Sequence, residues 1–247
     1  MKKQIRIEAK IPRGFDEAIK KYAEYLEIIE TNYSIIYNTE STKYIFNNEY
    51  MGLGAFKLLS QVKADVRHNI EERKFKVIEC KPQYFGYNPK LLDSKDGKFF
   101  MVNELDLNSA YLESAYFQKI ISDKIYLRLK EVSKKMRLKA LGSLATRKIK
   151  SIFIKGEKQS QEVIIDNELS MVWQMICKGT DELIYNYIYA YEKAFLFYWF
   201  DNLFLQQQLK EDKFYKQKYP LTLNYSKDQT AIKFLIEETK KTFTIPF

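Results

Sequence analysis

A chain of 247 residues that is 46% apolar and 15% aromatic can bury a sizeable core, which excludes a disordered or low-complexity protein. Lys and Arg number 41 against 32 Asp and Glu, and the resulting formal charge of +9 favours an anionic partner, nucleic acid first among them. One His and two Cys exclude a His-rich zinc centre and a secreted disulfide scaffold, and no apolar run is long enough to cross a bilayer.

Taken in chain order, "FDEAIKKYAEYLEIIETN" (15–32) carries apolar residues at helical spacing, and "NYSIIYN" with "TKYIF" predicts a short hairpin. A second helix is expected over about 50–72, with His68 on its charged, exposed face. "KFKVIECK" and "PQYFGYN" predict strands, "DSKDGK" a turn and "FFMVNELD" a further strand, with helix from Ser109 onward. Residues 123–150 hold few breakers and many helix formers, which predicts a long basic helix or helical hairpin with Gly142 as its weak point. "QEVIID" reads as a strand. A helix then starts at Asn167, with a break expected near Gly179. "AFLFYWFDNLFL" predicts a hairpin turning at Asp201 and Asn202, a buried helix being the rival reading. The Tyr-rich "LIYNYIYAY" is read as core packing. No repeat or linker composition is visible, so the expectation is one α+β domain over 1–247. The start, "MKKQIRIEAKIPRG", lacks an apolar leader segment, so a soluble, unprocessed cytoplasmic protein with reduced thiols is expected.

Asp106 ends an apolar strand and Asp201 sits at a hairpin tip. The plain structural reading makes the first an N-cap and the second a turn residue. Two Asp residues on adjacent strands of one sheet also supply what phosphoryl transfer needs, carboxylate oxygens for magnesium beside a triphosphate. The basic segment between them would neutralise triphosphate charge, and Lys135, Lys139 and Gly142 share a helical face by their spacing of four and three.

"DLNSAY" (106–111) resembles motif A of family B DNA polymerases, Asp-x-x-Ser-x-Tyr, in the Asn-Ser form of the protein-primed phage branch. "KALGSLATRK" is similar to motif B, usually Lys-x-x-x-Asn-Ser-x-Tyr-Gly, and "FYWFDNLFL" to motif C, usually Tyr-x-Asp-Thr-Asp-Ser. The resemblance implies Asp106 and Asp201 as metal ligands, the Leu107 carbonyl as a further ligand, the backbone at Ser109 beside the triphosphate, and Tyr111 as the gate against a ribose hydroxyl. It further implies triphosphate contacts from Lys135, Lys139 and Ser143, with Mg2+ or Mn2+ as cofactor and a dNTP as substrate. Departures are plain. Leu112 replaces the Pro after motif A, and Leu138 occupies the motif B Lys position with Lys139 one residue beyond. Gly142, Ala145 and Thr146 replace the motif B Asn, Tyr and Gly, while Trp199 and Asn202 replace the first Asp and the Ser of motif C.

The motifs span about 106–205, which implies an antiparallel palm-like sheet with helices on one face over about 98–247, a basic helical insertion at 123–150, and an N-terminal α/β part over about 1–97. The implied function is a palm-type nucleotidyltransferase acting on nucleic acid or a protein primer, in a bacterial or phage-infected cytoplasm. The alternative is an inactive palm that binds nucleic acid or a replication or primer protein. A third reading sets Asp65 with Glu79-x-Lys81, which resembles the core of restriction-like magnesium nucleases.

Overall fold

A computed structural model describes residues 3–7, 11–47, 53–206, 215–227 and 231–246, and the chain divides into two compact units. The first comprises Met1–Glu79 and Lys119–Trp173, and the second Cys80–Gln118 and Gln174–Phe247. In chain order the elements are β1 (Lys3–Ile7), α1 (Phe15–Tyr22), β2 (Tyr25–Glu30), β3 (Ser34–Thr39), β4 (Thr42–Asn47), α2 (Leu53–Glu71), β5 (Phe85–Tyr87), α3 (Pro89–Leu92), β6 (Phe99–Leu107) and α4 (Ala110–Phe117). They continue as α5 (Asp123–Lys130), α6 (Lys134–Gly142), β7 (Arg147–Ile154), β8 (Glu157–Ile165), α7 (Asn167–Ala190), β9 (Phe195–Trp199), β10 (Asn202–Leu205), β11 (Tyr215–Lys227), β12 (Ala231–Ile236) and β13 (Lys241–Pro246). The class is α+β, as expected. Among the described residues no helix is long and apolar enough to cross a membrane.

The first unit holds a six-stranded sheet in the order β1-β4-β3-β2-β7-β8, antiparallel except where β1 joins β4. Its core gathers Leu26, Ile28, Tyr37 and Phe46, capped by Phe15 of α1, whose ring meets Tyr37, Tyr44 and Phe46 edge-on at 5.4, 5.3 and 4.9 Å. The helix expected over 15–32 therefore stops at Tyr22, and Tyr25–Glu30 is a strand. Its apolar residues also fit a two-residue period. Burying Leu26 and Ile28 while pairing with both β3 and β7 outweighs the local helical spacing. The expected hairpin is β3–β4, and the helix expected over about 50–72 is α2, with His68 exposed.

The basic segment forms two short helices. Ser122 caps α5 by accepting the Ile125 N–H, and Ser133 caps α6 by accepting the Met136 N–H, so each serine starts a new helix. Residues 147–150 are strand rather than helix, because Arg147–Ile154 pairs with both β2 and β8.

In the second unit seven antiparallel strands run β13-β12-β11-β6-β10-β9-β5. The α4 and α7 helices cover one face, where Leu105, Leu107, Tyr198 and Leu203 meet Ala110 and Ile184. The other face is aromatic. Phe197 of β9 stacks on Phe204 of β10 at 4.1 Å and on Phe234 of β12 at 3.9 Å, so the sheet curls until strands distant in its order touch. The strand expected over 74–81 does not form, since residues 76–81 take no partner strand, whereas "PQYFGYN" contains β5.

Gly179 does not interrupt α7. Its missing side chain lets α4 approach. A Cβ there would collide with the Gln118 amide and the Ser114 hydroxyl, which bond to the Met175 and Ile176 carbonyls at 3.0 and 2.6 Å. Gly179→Ala gains about 1 kcal/mol of helix propensity but overpacks this contact at a cost of about 1–3 kcal/mol. A net loss of stability is expected in urea unfolding, and an unchanged midpoint would show that α4 yields freely.

Candidate active site

The β6 strand pairs with β10 on one side and β11 on the other, so its end is held from both edges. Asp106, the penultimate residue, lies directly opposite Asn202 of β10. The β9–β10 hairpin closes through the pair Trp199–Asn202, which leaves Phe200 and Asp201 as its two turn residues, Phe200 in the left-handed region at φ 55°. The turn thus falls one residue earlier than expected. Cross-strand pairing of Asn202 with Asp106 fixes the register and overrides the tolerance of Asn for turn positions.

Two backbone bonds pin this tip. The Phe200 N–H donates to the Tyr84 carbonyl at 2.6 Å, and the Leu107 N–H donates to the Asp201 carbonyl at 2.9 Å. Asp201 is therefore tied to the residue that follows Asp106. Asn202, on the Asp106 side of the ladder, donates from Nδ2 to Asp201 Oδ1 at 3.4 Å, and Asp106 Oδ1 is buried. The structure brings the end of β6 with Asp106 and the β9–β10 turn with Asp201 together at one end of one sheet.

The N-cap reading of Asp106 does not hold. The cap of α4 is Ser109, three residues on, at φ 55° and ψ 36°, with its carbonyl accepting the Leu112 and Glu113 N–H groups at 2.8 and 3.0 Å. A left-handed non-glycine residue costs about 1–2 kcal/mol, and such positions cluster at functional sites. One turn into α4, burial first and then the charges of Cys177 and Asp201 push the Tyr111 phenol pKa up. Asp106, Leu107, Ser109, Tyr111 and Asp201 are thus neighbours in the second unit.

Sequence reasoning missed the wall that α7 and the segment before β5 supply. Tyr84 sits at φ 49°, and burial first, then the neighbouring Cys177, lifts its phenol to about 12. Asp181 is 2% exposed and accepts the Gln83 N–H at 2.6 Å. A single acidic residue within a helix carries no sequence signal for this role. Nor was β11 anticipated, which places Lys216 in register with Asp106.

Burial raises the Asp181 pKa, and the Gln83 N–H and the Lys178 charge oppose it only in part. The folded state therefore binds the proton more tightly than the unfolded chain. Its contribution to stability is complete below the unfolded pKa of about 3.9 and is lost as pH rises through the folded value. Asp181→Asn removes that loss, so the stability of the variant relative to wild type should climb as pH rises from about 4 in a denaturant series. A difference independent of pH would show that Asp181 ionises as freely folded as unfolded.

The remaining candidates lie in the first unit or at its margin. Lys135 is exposed on α6, and the Lys139 carbonyl accepts the Tyr33 hydroxyl at 3.3 Å. Ser143 is 1% exposed and spends its hydroxyl on the Ala140 carbonyl at 2.7 Å. Asp65 sits on α2, where its carboxylate accepts the Ser122 N–H at 2.8 Å and the Ser122 hydroxyl at 2.6 Å. Glu79 and Lys81 are exposed in the segment that forms no strand. Asp65 thus anchors the start of α5. Among the described residues no three His, Cys, Asp or Glu side chains group as a metal cage.

Comparison of the chain with models of protein families, with curated proteins and with solved structures found no match.

Proposed function

We propose that the second unit is a reduced palm of the family B DNA polymerase type, and that the protein transfers a deoxynucleotide from its triphosphate to a hydroxyl of nucleic acid or of a primer protein. One observation carries this reading: the end of β6 that carries Asp106 and the β9–β10 turn that carries Asp201 are joined by the 2.9 Å bond from the Leu107 N–H to the Asp201 carbonyl. Magnesium is held by one or two carboxylates and completed by substrate phosphates and water, so a pair of Asp residues suits it and manganese without a closed protein cage. When bound, the ions supply charge neutralisation at the phosphoryl group and a more acidic attacking hydroxyl. Asp106, Asp201 and the Leu107 carbonyl would hold them. Tyr111 would face the sugar and the Ser109 backbone the triphosphate. The place of action is the cytoplasm of a bacterial or phage-infected cell.

A second reading has its own observation. Trp199, where the family has the first Asp of motif C, stacks on Phe85 at 6.0 Å and packs against Phe243 at 5.3 Å, so apolar contacts occupy that position. This favours an inactive palm that binds nucleic acid or a replication or primer protein. Primer extension with dNTPs and Mg2+ or Mn2+ separates the two. Incorporation by wild type that is lost in Asp106→Asn supports the enzyme, and nucleic-acid binding without incorporation supports the binding module. The nuclease reading is the weakest, since both Asp65 oxygens are engaged by Ser122.

A further inference from the structure

Lys63 and Arg67 stand one turn apart on α2, and Lys148 lies on β7 in register with Ile164, two residues before Asp166. The Arg67 guanidinium holds the Asp166 carboxylate at 2.7 Å, and Asp166 also caps α7 by accepting the Leu169 N–H at 3.1 Å. Lys63 is half-buried. Burial and then the charges of Lys148 and Arg67 push its ammonium pKa down, with Asp166 opposing them. Lys63 thus has two cations and one carboxylate as charged neighbours, which leaves a surplus of two positive charges in the group. Repulsion of this kind destabilises a folded protein unless an anion joins it. A fully solvated basic face would leave its ammonium groups in water, whereas Lys63 is half-buried on the helix that carries Arg67.

We propose that Lys63, Arg67 and Lys148 form a phosphate-binding patch on the first unit that holds the backbone of a nucleic-acid strand. Its open setting suits a polymer. Arg67 is 56% exposed and Lys148 is exposed on β7, so the charges lie on a surface rather than close over a small ion. The proposal is independent of the palm reading and is judged by binding alone.

The test is fluorescence anisotropy of a labelled single-stranded oligonucleotide with the full chain over a salt series. Each phosphate contact contributes a slope of about −0.7 in log affinity against log salt, so replacing Lys63, Arg67 and Lys148 together with Ala should flatten the slope by about 2 and weaken binding about 100-fold at about 0.1 M salt. Replacing exposed Lys90, Lys124 and Lys193 with Ala removes the same net charge and should cost only a few-fold. Asp166→Asn, which keeps the helix cap, should tighten binding severalfold. Lys63→Arg with Lys148→Arg should retain wild-type binding, which distinguishes lost contacts from lost folding. Equal losses in the two triple variants, or an unchanged salt slope in the first, would overturn the proposal. Inorganic triphosphate or anionic vesicles that bind in a patch-dependent way while the oligonucleotide does not would also overturn it.

Discussion

Replacing either acidic residue, as Asp106→Asn or Asp201→Asn, is expected to reduce metal-dependent nucleotide incorporation by at least about 10³-fold while stability is kept or slightly raised. Loss of one preorganised group that faces developing charge already costs about 10²–10³ in rate, and here the group also holds the ion. The opposite sign on stability follows from the construction of the site. What positions Asp201 is its backbone carbonyl, bonded to the Leu107 N–H at 2.9 Å, and what positions Asp106 is the β6 ladder with β10 and β11. Both anchors are made by backbone groups, which Asn at either position keeps. Removing one negative charge from two on adjacent strands relieves repulsion when no cation lies between them. Rates are read by primer extension and stability by thermal unfolding without divalent ions. Full incorporation by Asp201→Asn would sink the two-carboxylate site, and joint loss of activity and folding would mark the residue as structural.

The largest effect on stability is expected at Phe197→Ala. Phe197 is fully buried and lies between two nearly parallel rings, Phe204 at 4.1 Å and 6°, and Phe234 at 3.9 Å and 13°. Truncating a buried Phe costs about 3–5 kcal/mol, and each lost ring pair adds about 0.5–1.5 kcal/mol. The site stands in the loss. Phe197 and Phe204 belong to the two strands that flank Asp201, and Phe234 reaches them from β12. Denaturant unfolding of Phe197→Ala against Phe197→Leu gives the comparison, with the Leu variant keeping most of the volume and far more of the stability. A shift under about 1 kcal/mol for the Ala variant would mean that the curled sheet closes without this stack.

The strands that carry the candidate site were more legible in the sequence than much of the fold, for identifiable reasons. "FFMVNELD" and "AFLFYWFDNLFL" are apolar enough to be strands wherever they pack, and their acidic residues lie at strand ends. Residues 25–32 misled because YLEIIE satisfies helical and strand periods alike, and only pairing with β7, more than a hundred residues on, decides between them. "KFKVIECK" misled in reverse, with strand-like residues but no strand to join. The strands β11 to β13 went unread, although β11 flanks Asp106, since their alternation is interleaved with Lys and Thr and no turn signal marks them.

The sheet order also fixes when the site can exist during synthesis. Asp106 leaves the ribosome well before its neighbours, since both strands that flank β6 are encoded far downstream, β10 at Asn202–Leu205 and β11 from Tyr215. At about 5–20 residues per second, β6 waits on the order of 5–20 s with its edges unpaired while the rest of the first unit, Lys119–Trp173, is made. The proposed site can therefore assemble only after the β9–β10 hairpin that carries Asp201 has been made. Stalled nascent chains ending before β9 would carry the whole of "DLNSAY" and yet offer no second carboxylate.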